Sequence, residues 1–116
     1  MTREIKMQLN GAPFLDRAEI AESMLDRMRG LLGRDSLPQN HGLLITNCPS
    51  IHMVGMRFPI DAIFIASDGE VVRVTRDIQP GRLMVSGGSG ARLTLEIATG
   101  WLATDAIKPG DRLTWA

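Results

Sequence analysis

Apolar and polar residues alternate at the start of the chain: Ile5, Met7 and Leu9 fall on one side, and Asn10-Gly11 follows as a turn dipeptide. This predicts a first strand running into a tight turn. Phe14–Ile20, with Ala18 and Ile20 on one face, predicts a second strand. The period then changes. Over Ser23–Leu32 the apolar positions Met24, Leu25, Met28, Leu31 and Leu32 recur at helical spacing. Ser23 is placed to cap this segment, and Gly30 and Gly33 supply stop signals. The spacing predicts one main helix whose apolar stripe covers an open face or end of a sheet. Gly42–Thr46 is short and apolar enough for a buried strand.

The second half continues in β fashion. Cys48–Pro59 reads as a loop, because Pro49 and Pro59 deny it regular ladder hydrogen bonds. Ala62–Ala66 and Glu70–Val74 flank Ser67-Asp68-Gly69 and predict a hairpin. Gly81, Gly87, Gly88 and Gly90 predict a mobile loop. In Leu93–Ala98, residues Leu93, Leu95 and Ile97 face one way and Thr94 and Glu96 the other. A short second helical turn is expected near Trp101, and Lys108-Pro109-Gly110-Asp111 is spaced for a type II turn into a last strand, Arg112–Trp115. Together these elements predict a single domain, residues 1–116, of the α+β class. Its sheet is expected to be mainly antiparallel, curled or small and barrel-like, with one main helix and a short second helical turn.

Composition narrows the function classes. Thirteen basic and thirteen acidic residues cancel, so there is no electrostatic footprint for nucleic acid. Two Trp, three Phe and no Tyr make no aromatic platform for single strands. One cysteine excludes an internal disulfide framework. No stretch approaches the roughly 18 apolar residues of a spanning helix, and MTREIKMQLN is not a signal peptide. The chain as written therefore reads as soluble, without a membrane partner, and cytoplasmic. It would be periplasmic or secreted if an export signal had been removed. Eleven of the thirteen basic residues are arginines, which favours contact with carboxylate or phosphate.

Candidate chemistry is crowded into Cys48–Asp61. Cys48-x3-His52-x3-Met56 offers thiolate, imidazole and thioether, a copper-like ligand set, but a second nearby histidine is missing and His41 is badly placed. A buried thiol with methionines filling a core edge is the simpler reading. Cys48 could also be a nucleophile activated by His52 across a curled loop. A third arrangement sets His52, Asp61 and Glu96 in one polar pocket, where two carboxylates in unlike environments divide acid and base roles. Against it, Asp61 can accept from its own turn amides, and Glu96 can pair with Arg73 or Arg76. Ser86–Gly90, with Arg82 and Arg92, could wrap a phosphate, though it lacks the Walker ending.

The segments RMRGLLGR, SIHMVGMRFPIDAIFIASDGEVV, LEIATG and AIKPGDRL occur in an order that resembles the domain-of-unknown-function family 192, from about Ala18 to Leu113. The resemblance implies a small, mainly β domain with minor helices, found in bacteria and archaea and often exported. It implies no known reaction, and no cofactor is expected. Many members have Trp-Met where this chain has His52-Met53. The reading that follows is a non-enzymatic small-molecule or peptide (anion) binding or accessory module. Its cleft would be built from residues 48–61 and the 81–92 loop, with Arg57, Arg82 and Arg92 holding an anionic ligand. The alternatives are a hydrolase-like enzyme using His52 with Asp61 or Glu96, and a metal protein using Cys48, His52 and Met56.

Overall fold

A computed structural model describes residues 2–116. Nine strands and one short helix follow in the order β1 (Arg3–Leu9), β2 (Ala12–Ala21), α1 (Met24–Arg29), β3 (His41–Ile45), β4 (Ser50–Ile51), β5 (Ile60–Ile65), β6 (Val71–Ile78), β7 (Val85–Ser86), β8 (Leu93–Ala98) and β9 (Leu113–Trp115). Seven of them form one curled sheet in the order β6-β5-β8-β3-β2-β1-β9, and β4 pairs with β7 beside it. All pairings are antiparallel except β2 with β3. The parallel pair needs a crossover, and the segment between β2 and β3, which contains α1, provides it.

The curl brings the two outer strands together. An antiparallel bridge joins Glu70 to Arg112. The Val71 N–H donates to the Asp111 carbonyl at 2.8 Å, and the Leu113 N–H donates to the Gly69 carbonyl at 2.8 Å. Asn10, in the β1–β2 turn, latches onto the same segment: its side chain donates to Asp111 and accepts from the Arg112 N–H.

The sheet is buried on both faces, so its central strands are apolar throughout and not only on alternate positions. All six residues of β5 are buried. Ile63, Ile65, Leu95, Ile97 and Leu44 join the first-strand residues Ile5 and Met7 on the inside of the curl. Leu43, Ile45, Ile60, Ala62 and Phe64 point to the other side, where Leu31, Leu37, Ile51 and Met53 cover them. Gly87 sits tight against this second layer: a Cβ there would fall 2.6 Å from the Phe64 ring.

Two helical expectations are corrected. The predicted helix over Ser23–Leu32 is only six residues long, Met24–Arg29. Ser23 does cap it, accepting from the Asp26 N–H at 3.1 Å. Gly30, however, turns out of the helix at φ +49, so Leu31 drops into the second layer while Met24, Leu25 and Met28 stay 68–78% exposed. The stripe is split by the glycine instead of facing one core. No second helical turn forms near Trp101. The carbonyls of Leu102, Ala103 and Thr104 accept from the Arg76 guanidinium at 3.0, 3.0 and 3.2 Å, and the segment keeps only a single local turn bond, Ala106 N–H to the Ala103 carbonyl. The glycine-rich stretch is also tied down: β7 pairs with β4, and the Gly87 N–H donates to the Pro49 carbonyl.

Candidate functional site

Two carboxylates on neighbouring central strands separate the two sides of the sheet. In the β5–β8 register Asp61 lies opposite Ile97, and Ala62 lies opposite Glu96. Directly opposed residues share a face and successive residues alternate, so Asp61 and Glu96 point to opposite sides. Asp61 is 1% exposed and well satisfied. It accepts from the Thr99 hydroxyl at 2.7 Å and the Asp77 N–H at 2.8 Å, and Arg76 lies 3.4 Å away. The three groups expected to converge do not: His52 and Glu96 line one cavity, and Asp61 is on the far side of the sheet.

That cavity has a volume of about 300 Å³ and opens between α1 and the Cys48–Met56 loop, over β3 and β8. Its walls are apolar: Leu31, Leu32, Ile45, Ile51 and Met56. Arg27, Met28, Arg29 and His52 stand around it, the last three exposed. Glu96 rises from β8 with the apolar Leu43 and Ala62 as its lateral neighbours. It is 5% exposed, and among the described residues it makes no hydrogen bond and no ion pair. Burial pushes its carboxyl up to about 7, opposed only by the field of Arg34. Arg34 is itself engaged with Glu19 at 3.0 Å. Gly30 lies over the acid, where a Cβ would make ordinary contact at 3.8 Å from Glu96 Oε1 and 3.7 Å from Ile45 Cδ1.

Cys48 lines the same cavity. Its thiol donates to the Ser50 carbonyl at 3.1 Å, and Thr94 anchors the loop by donating to the Cys48 carbonyl at 2.7 Å. Burial, reinforced by Glu96, pushes the thiol up, which works against a resting nucleophilic thiolate. Met56 and His52 share the cavity with Cys48. Among the described residues, though, no three His, Cys, Asp or Glu side chains are grouped to hold a metal ion.

The three arginines expected to bind an anion lie outside this cavity. Arg57 pairs with Asp35 at 2.7 Å, and Arg92 donates to the Ala91 carbonyl at 2.8 Å. Arg82 is exposed, and its backbone carbonyl accepts from the Met53 N–H. In the glycine loop the Gly88 N–H is taken by Ser86 Oγ, and Arg73 donates to the Ser86 carbonyl. The two arginines suggested as partners for Glu96 are thus on other acceptors, Arg73 on Ser86 and Arg76 on Asp61. The sequence reading missed the opposite wall, Arg27 to Leu32. The signal was Gly30 inside the apolar stripe, a residue at the point where the chain leaves the helix.

The fold and cavity define a class: a curled, two-faced β-sheet with a small pocket on its outer side. The chain belongs to the family DUF192, described as Uncharacterized ACR, whose model matches residues 5–115. Among curated proteins nothing matches. Two solved structures share the fold. One is a protein of unknown function from Novosphingobium aromaticivorans, with a TM-score of 0.82 and 24% identity over 98% of this chain and 85% of that one. The other is a proposed transcription regulator from Sinorhizobium meliloti, with a TM-score of 0.83 and 23% identity over 98% of this chain and 95% of that one. No helix among the described residues is long and apolar enough to cross a membrane.

Proposed function

We propose that the protein is a small-molecule binding module whose ligand occupies the pocket between α1 and the Cys48–Met56 loop. One observation carries this reading: Glu96 is buried and has no partner among the described residues, and it faces an apolar cavity of about 300 Å³. A buried carboxylate without a donor is destabilising, and a core position between Leu43 and Ala62 would be filled more stably by an apolar side chain. A glutamate at this position makes sense where something else supplies the missing donor. The cavity is at the small end of ligand pockets and has their composition, apolar walls with a few polar groups. On this reading the ligand lies on the α1 side of the mid-chain loop and not on Arg82 and Arg92, which are outside the cavity.

The test uses the seven methionines. In protein labelled at the methionine methyl carbons, Met28 and Met56 report the pocket, while Met7, buried inside the curl, is an internal control. Pocket ligands from a fragment collection shift Met28 and Met56 and leave Met7 in place. A collection that moves neither signal defeats the reading.

A second reading has its own support. A carboxyl at about 7 is poised as a general acid or base near neutral pH, and His52 borders the same cavity. In that case Glu96→Gln abolishes turnover of a substrate while the substrate still shifts Met28 and Met56. Retained turnover in this variant rules it out.

A further inference from the structure

The chemistry of the pocket also selects among ligands, an inference that rests on the pocket being a ligand site. Glu96 lies beneath Gly30, and no cation of the chain reaches it within ion-pair distance among the described residues. The guanidinium with the strongest field at Glu96, Arg34, is held by Glu19. The strands beside β8 place only Leu43 and Ala62 opposite Glu96. From the covering segments Arg27, Arg29, Cys48 and His52 face the cavity. An anionic group sent to the floor would meet a like charge once Glu96 is ionised, and among the described residues no three His, Cys, Asp or Glu side chains are grouped there to hold a metal ion. A second positive charge at the outer end would meet Arg27 and Arg29.

We propose that the pocket takes a small primary amine, its ammonium donating to the Glu96 carboxylate, its apolar body along Leu31, Ile45, Ile51 and Met56, and its outer end neutral or acidic toward Arg27 and Arg29. The ammonium supplies three donors to a group that has none. A charge-assisted hydrogen bond in a water-poor site separates an amine from its alcohol isostere by about tenfold. Because free Glu96 holds its proton up to about 7, binding an ammonium below that pH expels the proton. Binding an alcohol does not.

The experiment titrates the methionine-labelled protein at about pH 8 with isopentylamine, isopentanol, isovalerate and cadaverine. Isopentylamine is expected to bind about tenfold tighter than isopentanol, and isovalerate and cadaverine to bind more weakly than isopentylamine. Glu96→Gln is expected to erase the preference for the amine, so that isopentylamine and isopentanol bind alike. Isopentanol, isovalerate or cadaverine binding as tightly as isopentylamine overturns the proposal, and so does an amine preference that survives in Glu96→Gln. If none of the four shifts Met28 or Met56, the pocket reading falls and takes this inference with it. If only isopentanol or isovalerate shifts them, the pocket stands and the amine assignment falls alone. Should the variant fail to fold, calorimetry of the wild-type protein at about pH 6 in buffers of different ionisation enthalpy decides. Proton release with isopentylamine supports the proposal, and its absence overturns it.

Discussion

Asp61 and Glu96 are two buried acids on adjacent strands of one sheet, one register position apart and on opposite faces. Asp61 is enclosed by a hydroxyl, a backbone N–H and a guanidinium that also gathers three carbonyls of the 102–104 turn. Glu96 has apolar neighbours, a cavity above it and no donor among the described residues. The first acid organises structure: it ties β5 to β6 and to the end of β8, and its arginine holds the loop that follows. The second contributes nothing to the fold that a neutral residue would not. Burial alone therefore does not mark a functional acid. What separates the two acids is the completeness of their hydrogen bonding.

Asp61→Ala should have the largest effect, a destabilisation on the order of 3 kcal/mol in urea unfolding, because it leaves buried donors without an acceptor. A loss well under 1 kcal/mol would remove Asp61 from its structural role. Glu96→Gln should act in the other direction and only at higher pH. The folded carboxyl sits at about 7 and the ordinary value is 4.5. Below the ordinary value the acid is neutral in both states and carries no penalty. As pH rises toward 7 the unfolded chain gives up its proton first, so the native state loses stability, on the order of 3 kcal/mol once pH exceeds the folded value. The glutamine variant escapes that loss: it should match the wild type near pH 4.5 and exceed it at pH 8. Parallel stability curves would erase the contrast between the two acids.

Thr99→Val removes one donor to Asp61 and should cost roughly 1.5 kcal/mol, with no change in the pH dependence assigned to Glu96. A changed slope would show that the two acids communicate through the sheet. Arg57→Gln breaks an ion pair whose side chains are 58% and 87% exposed. The melting temperature and ligand-induced shifts at Met28 and Met56 should both stay as they were. Lost ligand response in this variant would return the binding site to the arginines outside the pocket.

Much of the β framework was legible because the strands announce themselves by alternation or by short apolar runs bounded by Gly and Pro. Ile5–Leu9, the hairpin about Asp68-Gly69 and Leu93–Ala98 all form as their patterns require. The helix was overread because Met24, Leu25 and Met28 have the right spacing, yet Gly30 redirects the chain before that spacing can face a core. The site was half legible. Cys48, His52, Met56 and Glu96 do border one cavity. Asp61 was grouped with them because its loop ends nearby in sequence. Which face a residue takes depends on cross-strand register, and the Ala62–Glu96 pairing is not written in either segment alone. The opposite wall was hidden for the same reason: it comes from a segment that meets β8 only after the crossover is made.

The latch at Asn10 bears on how the molecule is born. β1 lies between β2 and β9, with Met7 opposite Trp115 and Leu9 opposite Leu113. During translation the β1–β2 hairpin emerges well before its other neighbour, β9, which lies about a hundred residues further along the chain. Throughout that interval one row of amides and carbonyls is unclaimed and open to a second nascent chain. Only with the arrival of Asp111 to Trp115 does that missing stave settle against β1 and meet Gly69 to Val71 across the curl.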